Sequence, residues 1–177
     1  SRVMQQEISI SHETNTTILE RLKALESRVA ALESSPISSS SGDFWVVDQI
    51  QCSNSSDHDH HGSVVFGGAV TLDGREYAYQ WERSADYLTG REWNEYIHRI
   101  AAIAHPVRGA ILRRLLVAPA TVAELVDEAL VSSTGTAYHH IAALQSAGWI
   151  AKLDVRYEVR PSRVIPLLTI IAAGEDH

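Results

Sequence analysis

The second half of this 177-residue chain is cut into short pieces by residues that start and stop helices. His105-Pro106 puts a proline where a first helical turn tolerates it, and biases the residue before it away from helix. Ala118-Pro119-Ala120 closes the helix that follows, Pro106–Val117. Thr121, with Glu124 three residues on, has the capping-box pattern for a short helix. Ser132-Ser133-Thr134 caps another, Gly135–Ala147, and Gly148 suits the position just past its end. Trp149–Leu153 and Arg156–Arg160 alternate as strands around Asp154-Val155. Pro161–Ala173 reads as a last, apolar helix. Upstream, Arg91–Ala104 is amphipathic, with Trp93, Ile97, Ile100 and Ala104 at helical spacing. Helices this short bury little alone. They must share one core, filled from Val107, Ile111, Leu115, Val122, Leu125, Val126, Ala129, Ile141 and Leu144. The expected class is α+β.

Three helices and a hairpin in this order are the elements of a winged helix-turn-helix. The segment from about Ile97 to Pro161 resembles the ArsR-type winged-helix transcriptional regulators. The residues that carry the likeness are Ala104-His105-Pro106-Val107-Arg108-Gly109-Ala110-Ile111-Leu112, Thr121-Val122-Ala123-Glu124-Leu125, Thr136-Ala137-Tyr138-His139-His140-Ile141-Ala142-Ala143-Leu144 and Ala147-Gly148-Trp149-Ile150. The resemblance leaves out the first 90 residues. It implies a homodimeric regulator of transcription that sets helix 135–147 in the major groove of double-stranded DNA. The matching base-reading positions are Ser133, Thr134, Thr136, Ala137, Tyr138 and His139, whose hydroxyls and imidazole suit base edges or phosphates. Residues 121–150 contain no Lys or Arg, so phosphate charge falls to Arg108, Arg113, Lys152 and Arg156, with Arg114, Arg160 and Arg163. Arg156 sits where a wing tip would meet backbone or minor groove. The family's cysteine-containing metal motif is absent from 121–130. Adjacent His139 and His140 diverge by about 100° on a helix and do not form a metal pair. The competing reading is an adaptor that uses winged helix and coiled coil to bind proteins, without specific DNA binding.

Residues 1–33 carry a heptad. Ile8, Asn15, Leu22 and Val29 fall at a, and Ser11, Ile18, Leu25 and Leu32 at d. Asn15 at a favours a parallel dimer in register. Arg21 and Arg28 at g face Glu26 and Glu33 at e of a partner helix. The expected dimer contacts are Asn15, Ile18, Leu22, Leu25, Val29 and Leu32, joined by Leu167, Leu168 and Ile171 of the last helix, with helix 91–104. Residues 34–42, rich in Ser and Gly, read as a flexible linker.

Residues 43–90 read as a small antiparallel β segment. Phe44–Ile50 is expected as a strand. Ser63–Leu72 and Arg75–Trp81 form a hairpin around Asp73-Gly74, a strong turn signal. Between the first two strands, Cys52, His58, His60 and His61 carry metal-ligating chemistry, against the alternative of a polar hairpin loop made of turn formers. No resident cofactor is expected beyond such a metal ion.

The chain holds 22 acidic and 15 basic residues, net −7, which argues at first against nucleic acid. The acidity is local. Residues 43–90 hold eight acidic and two basic residues, whereas residues 91–163 hold nine basic and seven acidic. The acidic β segment is the expected place for a protein or small-molecule effector. No phosphate-binding glycine loop and no nucleophile–base pair in a cleft is legible, so no enzyme is expected. No apolar run approaches ~20 residues, no signal peptide is legible, and a single cysteine suits a reducing compartment. These features together predict a cytoplasmic protein.

Overall fold

In the computed structural model, residues 16–31, 45–54 and 61–177 are described. They fall into two units, Ser1–Cys52 and Ser53–His177. The fold is α+β: helices with antiparallel two-stranded hairpins.

In the first unit, α1 spans 16–31. Its heptad residues Ile18, Leu22, Leu25 and Val29 are all exposed in the single chain. Asn15 and Leu32 lie outside the described residues, as does the linker. Helix α2, Trp45–Asn54, replaces the strand expected over Phe44–Ile50 and runs into the first residues of the second unit. Val46 and Ile50, spaced by four, are its half-buried residues. A short apolar run fits either period, and here the helical one wins. The expected three-stranded meander is therefore, among the described residues, a two-stranded hairpin.

The second unit begins with that hairpin, β1 Ser63–Leu72 and β2 Arg75–Ser84. Its register pairs Phe66 with Trp81, Gly68 with Tyr79 and Val70 with Tyr77. Asp73 and Gly74 both take positive φ, 49° and 70°, the backbone twist a two-residue hairpin turn requires. Directly opposed residues share a face. One face thus carries Phe66, Val70, Leu72, Tyr77, Tyr79 and Trp81. Its turn-proximal half, Val70, Leu72 and Tyr77, packs on the main core. A short helix follows, α3 Ala85–Thr89, capped by Ser84. Next comes α4, Asn94–Ile103.

The remaining elements are α5 Pro106–Val117, α6 Val122–Asp127, α7 Thr134–Ser146, β3 Ile150–Leu153, β4 Arg156–Val159, a 3-10 turn Pro161–Arg163 and α8 Val164–Ala173. The capping residues act as their chemistry dictates. His105 accepts from the Val107 amide ahead of Pro106. Thr121 and Glu124 close a reciprocal capping box. Ser133 accepts from the Thr136 amide. Gly148 takes φ 79°, while the Trp149 amide reaches back to the Leu144 carbonyl at 3.0 Å, a Schellman ending. Ala129, expected inward, is exposed just beyond α6.

The core lies where α5, α7, β3 and α8 meet. Ile111, Leu115, Leu125, Ile141, Leu144 and Trp149 are buried there. Two bonds between Ala120 and Tyr157, at 2.8 and 3.0 Å, dock the β3–β4 hairpin on the segment before α6. The Trp149 indole N–H donates to the Arg99 carbonyl at 2.7 Å and ties this hairpin's root to α4. This order of helices and hairpin is compatible with a winged helix.

Two expected faces differ. Trp93, Ile97 and Ile100 of the α4 stripe point to solvent, while Ala102 and Ile103 face the core. Leu167, expected at a dimer surface, is only 2% exposed and packs in its own core. Leu168 is half-buried against the same core, and Ile171 is exposed. Amphipathic spacing locates an apolar stripe but not its partner.

Candidate nucleic-acid interface

Helix α7 has a buried face and an open one. Ala137, His140, Ile141 and Leu144 point inward. Thr134, Tyr138, His139, Ala142 and Gln145 point outward. Tyr138 is 52% exposed. The open face is thus a row of hydroxyl, phenol, imidazole and amide groups. Each can donate or accept a hydrogen bond, and none carries a permanent charge.

The expected base-reading residues separate accordingly. Thr134, Tyr138 and His139 are exposed, and Ser133 is exposed at the helix start. Thr136 is half-exposed, and its hydroxyl lies 2.9 Å from that of Ser133. These two hydroxyls are held as a pair at the first turn of α7. Ala137 is 0% exposed and packs in the core, so it cannot touch a ligand; its small side chain instead lets α7 sit closely on its neighbours. Gln145 was not among the expected residues. It falls seven positions after Tyr138, two turns along the same stripe, and that spacing alone would have found it.

The expected phosphate contacts divide in the same way. Arg113 and Lys152 are exposed. Arg114 donates to Glu128 at 2.7 Å and to the Ala118 carbonyl at 2.9 Å. Arg156, expected at the wing tip, folds back on the body: it donates to the Pro119 carbonyl at 2.9 Å and to Glu124 at 3.2 Å. The bond from the Thr121 backbone N–H, with Arg156 nearby, holds the Glu124 carboxyl below its ordinary range. Arg108 is half-buried, and its Nε is enclosed without a hydrogen-bond partner among the described residues. The turn of the β3–β4 hairpin instead exposes Leu153 and Val155.

Behind α7, the ring of His140 lies 4.8 Å from His105 and 5.3 Å from His139, centroid to centroid. Burial, with the neighbouring charges of His105, His139 and Arg108, pushes the His140 imidazole below the ordinary histidine range. His140 therefore packs between α5 and α7 with its charged form disfavoured.

Two of the four candidate metal residues are described. Cys52 is exposed on α2 in the first unit, and His58 and His60 lie outside the described residues. His61 pairs with Asp86 at 2.8 Å, at the base of the first hairpin. No group of three metal-ligating side chains occurs among the described residues. No helix among them is long and apolar enough to cross a membrane.

Comparison with family models, curated proteins and solved structures found no match.

Proposed function

We propose that this chain is a homodimeric, winged-helix, DNA-binding regulator of transcription that reads the major groove with α7. One observation carries the reading. The open face of α7 carries uncharged hydrogen-bonding groups, Thr134, Tyr138, His139 and Gln145, broken only by Ala142, on a helix seated in the core by its other face. Such groups suit base edges, where glutamine pairs with adenine and hydroxyls are tolerant. The Ser133–Thr136 pair at the helix start suits a phosphate. Exposed Arg113 and Lys152 supply charge. The likeness to ArsR-type regulators supports the same assignment of roles.

The homodimer is held by α1 through Ile18, Leu22, Leu25 and Val29, an apolar stripe exposed among the described residues. The outward stripe of α4, Trp93, Ile97 and Ile100, offers a second self-contact. A cytoplasmic site of action follows from the same role.

Fluorescence anisotropy with labelled genomic fragments at low salt tests the proposal. Binding that falls at least tenfold on changing Thr136, Tyr138 and His139 together to Ala supports it. No binding at low salt, or binding indifferent to that change, refutes it. One feature favours the adaptor reading: α7 carries no cation, and Arg156 is spent on Glu124. An adaptor gives no DNA shift and a stable hetero-complex that α1 or α7 substitutions break.

A further inference from the structure

The outer half of the first hairpin does not pack on the core. There Phe66, Tyr79 and Trp81 form a ladder, with ring centroids 6.0 Å apart at each step and planes within 23° and 17°. Trp81 remains 40% exposed. The ladder is one wall of a cleft of about 550 Å³, whose other side comes from α3, α4, the 3-10 turn and the start of α8. Gly68, on the same face, lies against Ile165 of α8, where a Cβ would stand at an ordinary contact distance of 3.4 Å.

The cleft is cationic, although its hairpin wall belongs to the acidic part of the chain. Arg83, Arg99 and Arg163 line it, and none of its lining side chains among the described residues is acidic. Arg83 stacks over Trp81 at 3.8 Å and donates to the Glu82 carbonyl. Arg99 reaches Glu95 at 3.2 Å, a carboxylate on the solvent side of α4. No carboxylate among the described residues pairs with Arg163, whose guanidinium lies 5.5 Å from the Trp149 ring. Burial and the charge of Arg99 hold this guanidinium below its ordinary value. Arg163 thus stands beside a second cation and an aromatic wall without a carboxylate of its own among the described residues, and an anion would supply the counter-charge.

We propose that this cleft binds a small aromatic anion, its ring on the Tyr79–Trp81 wall and its acid group on Arg163 and Arg99. Its volume suits a small molecule. An aromatic wall rewards a flat ring, and a guanidinium fork matches a carboxylate in two parallel hydrogen bonds. A neutral analogue of the same shape keeps the ring contact and loses the ionic one. The site is independent of DNA binding: it belongs to the hairpin, α4 and α8, not to α7.

The test uses the full chain and titration calorimetry with benzoate, salicylate and indole-3-acetate, each against its neutral amide. At least one acid should bind one per chain with a Kd of about 1 mM or tighter, the range expected of so few atoms. Its amide should bind at least tenfold more weakly, as should the acid to Arg163→Gln. Arg99→Gln, which keeps the backbone carbonyl that accepts from Trp149, should weaken the same acid severalfold and guards against a folding defect in the first variant; circular dichroism checks both. The idea is overturned if none of the three acids binds at one per chain. It is also overturned if acid and amide bind alike, or if folded Arg163→Gln or Arg99→Gln binds as the wild type does. Because no DNA is present, failure here leaves the reading of α7 intact, and failure of DNA binding leaves this site intact.

Discussion

Removing the titration of His140 should flatten the acid sensitivity of the fold. His140 is 8% exposed and sits between His105 and His139 with Arg108 nearby. Its folded-state pKa is depressed by burial first and by those charges second. In the unfolded chain it titrates near the ordinary value of about 6.5. Between the two values the unfolded chain binds the extra proton, so stability rises with pH there. The contribution is complete above about pH 6.5 and is lost as the pH falls below it. One proton limits the slope to about 1.4 kcal/mol per pH unit. His140→Phe keeps a ring of similar bulk and cannot titrate. Urea unfolding, followed by tryptophan fluorescence at fixed ionic strength between about pH 5 and 8, compares the two proteins. The difference between wild type and variant should be constant above about pH 7. It should shift against the wild type below that, by no more than the one-proton slope. An identical pH dependence for the two proteins would refute the reasoning, as would a difference that grows toward high pH.

Further predictions follow from single contacts. Thr121→Ala removes the capping box of α6 and should cost about 1 kcal/mol in urea unfolding; no loss would mean the cap is redundant. Gly67→Ala should destabilise clearly, because a Cβ there would lie 2.9 Å from the Tyr79 backbone oxygen. Gly68→Ala, whose Cβ meets only side-chain atoms of Ile165 at ordinary contact distance, should be tolerated. Thermal melts of the two variants check that order, and equal melts contradict the register. Leu25→Glu puts a charge on the α1 stripe and should halve the mass seen by light scattering, without changing the melt of residues 53–177. An unchanged mass would remove the coiled coil from the dimer.

The parts of this fold set by neighbouring residues were legible in the chain itself. Pro106, the Thr121–Glu124 box, Ser133, Gly148 and the Asp73-Gly74 turn act within a few residues, and each lies at the element boundary its chemistry predicts. What depends on distant partners was not legible. The run Phe44–Ile50 satisfied a strand pattern, yet Trp45–Asn54 is helical, because periodicity over so few residues does not decide. The stripe of α4 was visible, but not that it faces outward. On α7, Tyr138 and His139 are exposed, as a contact role needs, whereas Ala137 is buried, because a motif match cannot distinguish seating from contact. Arg114 and Arg156 looked available, because ion pairs such as Arg156–Glu124 span 32 residues. The aromatic cleft was hidden for the same reason. Its two walls come from residues 64–83 and from residues near 96–99 and 162–166.

The salt dependence of affinity for a duplex selected from random DNA tests the reading of α7 most directly. With Arg114 and Arg156 engaged internally, Arg113, Lys152 and Arg160 leave two to three cations per protomer. A dimer should then release few counterions, and the slope of log K against log salt should be about −4 to −5. Changing Thr136, Tyr138 and His139 to Ala should weaken binding without altering that slope, since these groups carry no permanent charge. Failure to recover any bound duplex, or a slope near zero, would contradict DNA binding. Affinity unchanged by the triple substitution would contradict the role of α7.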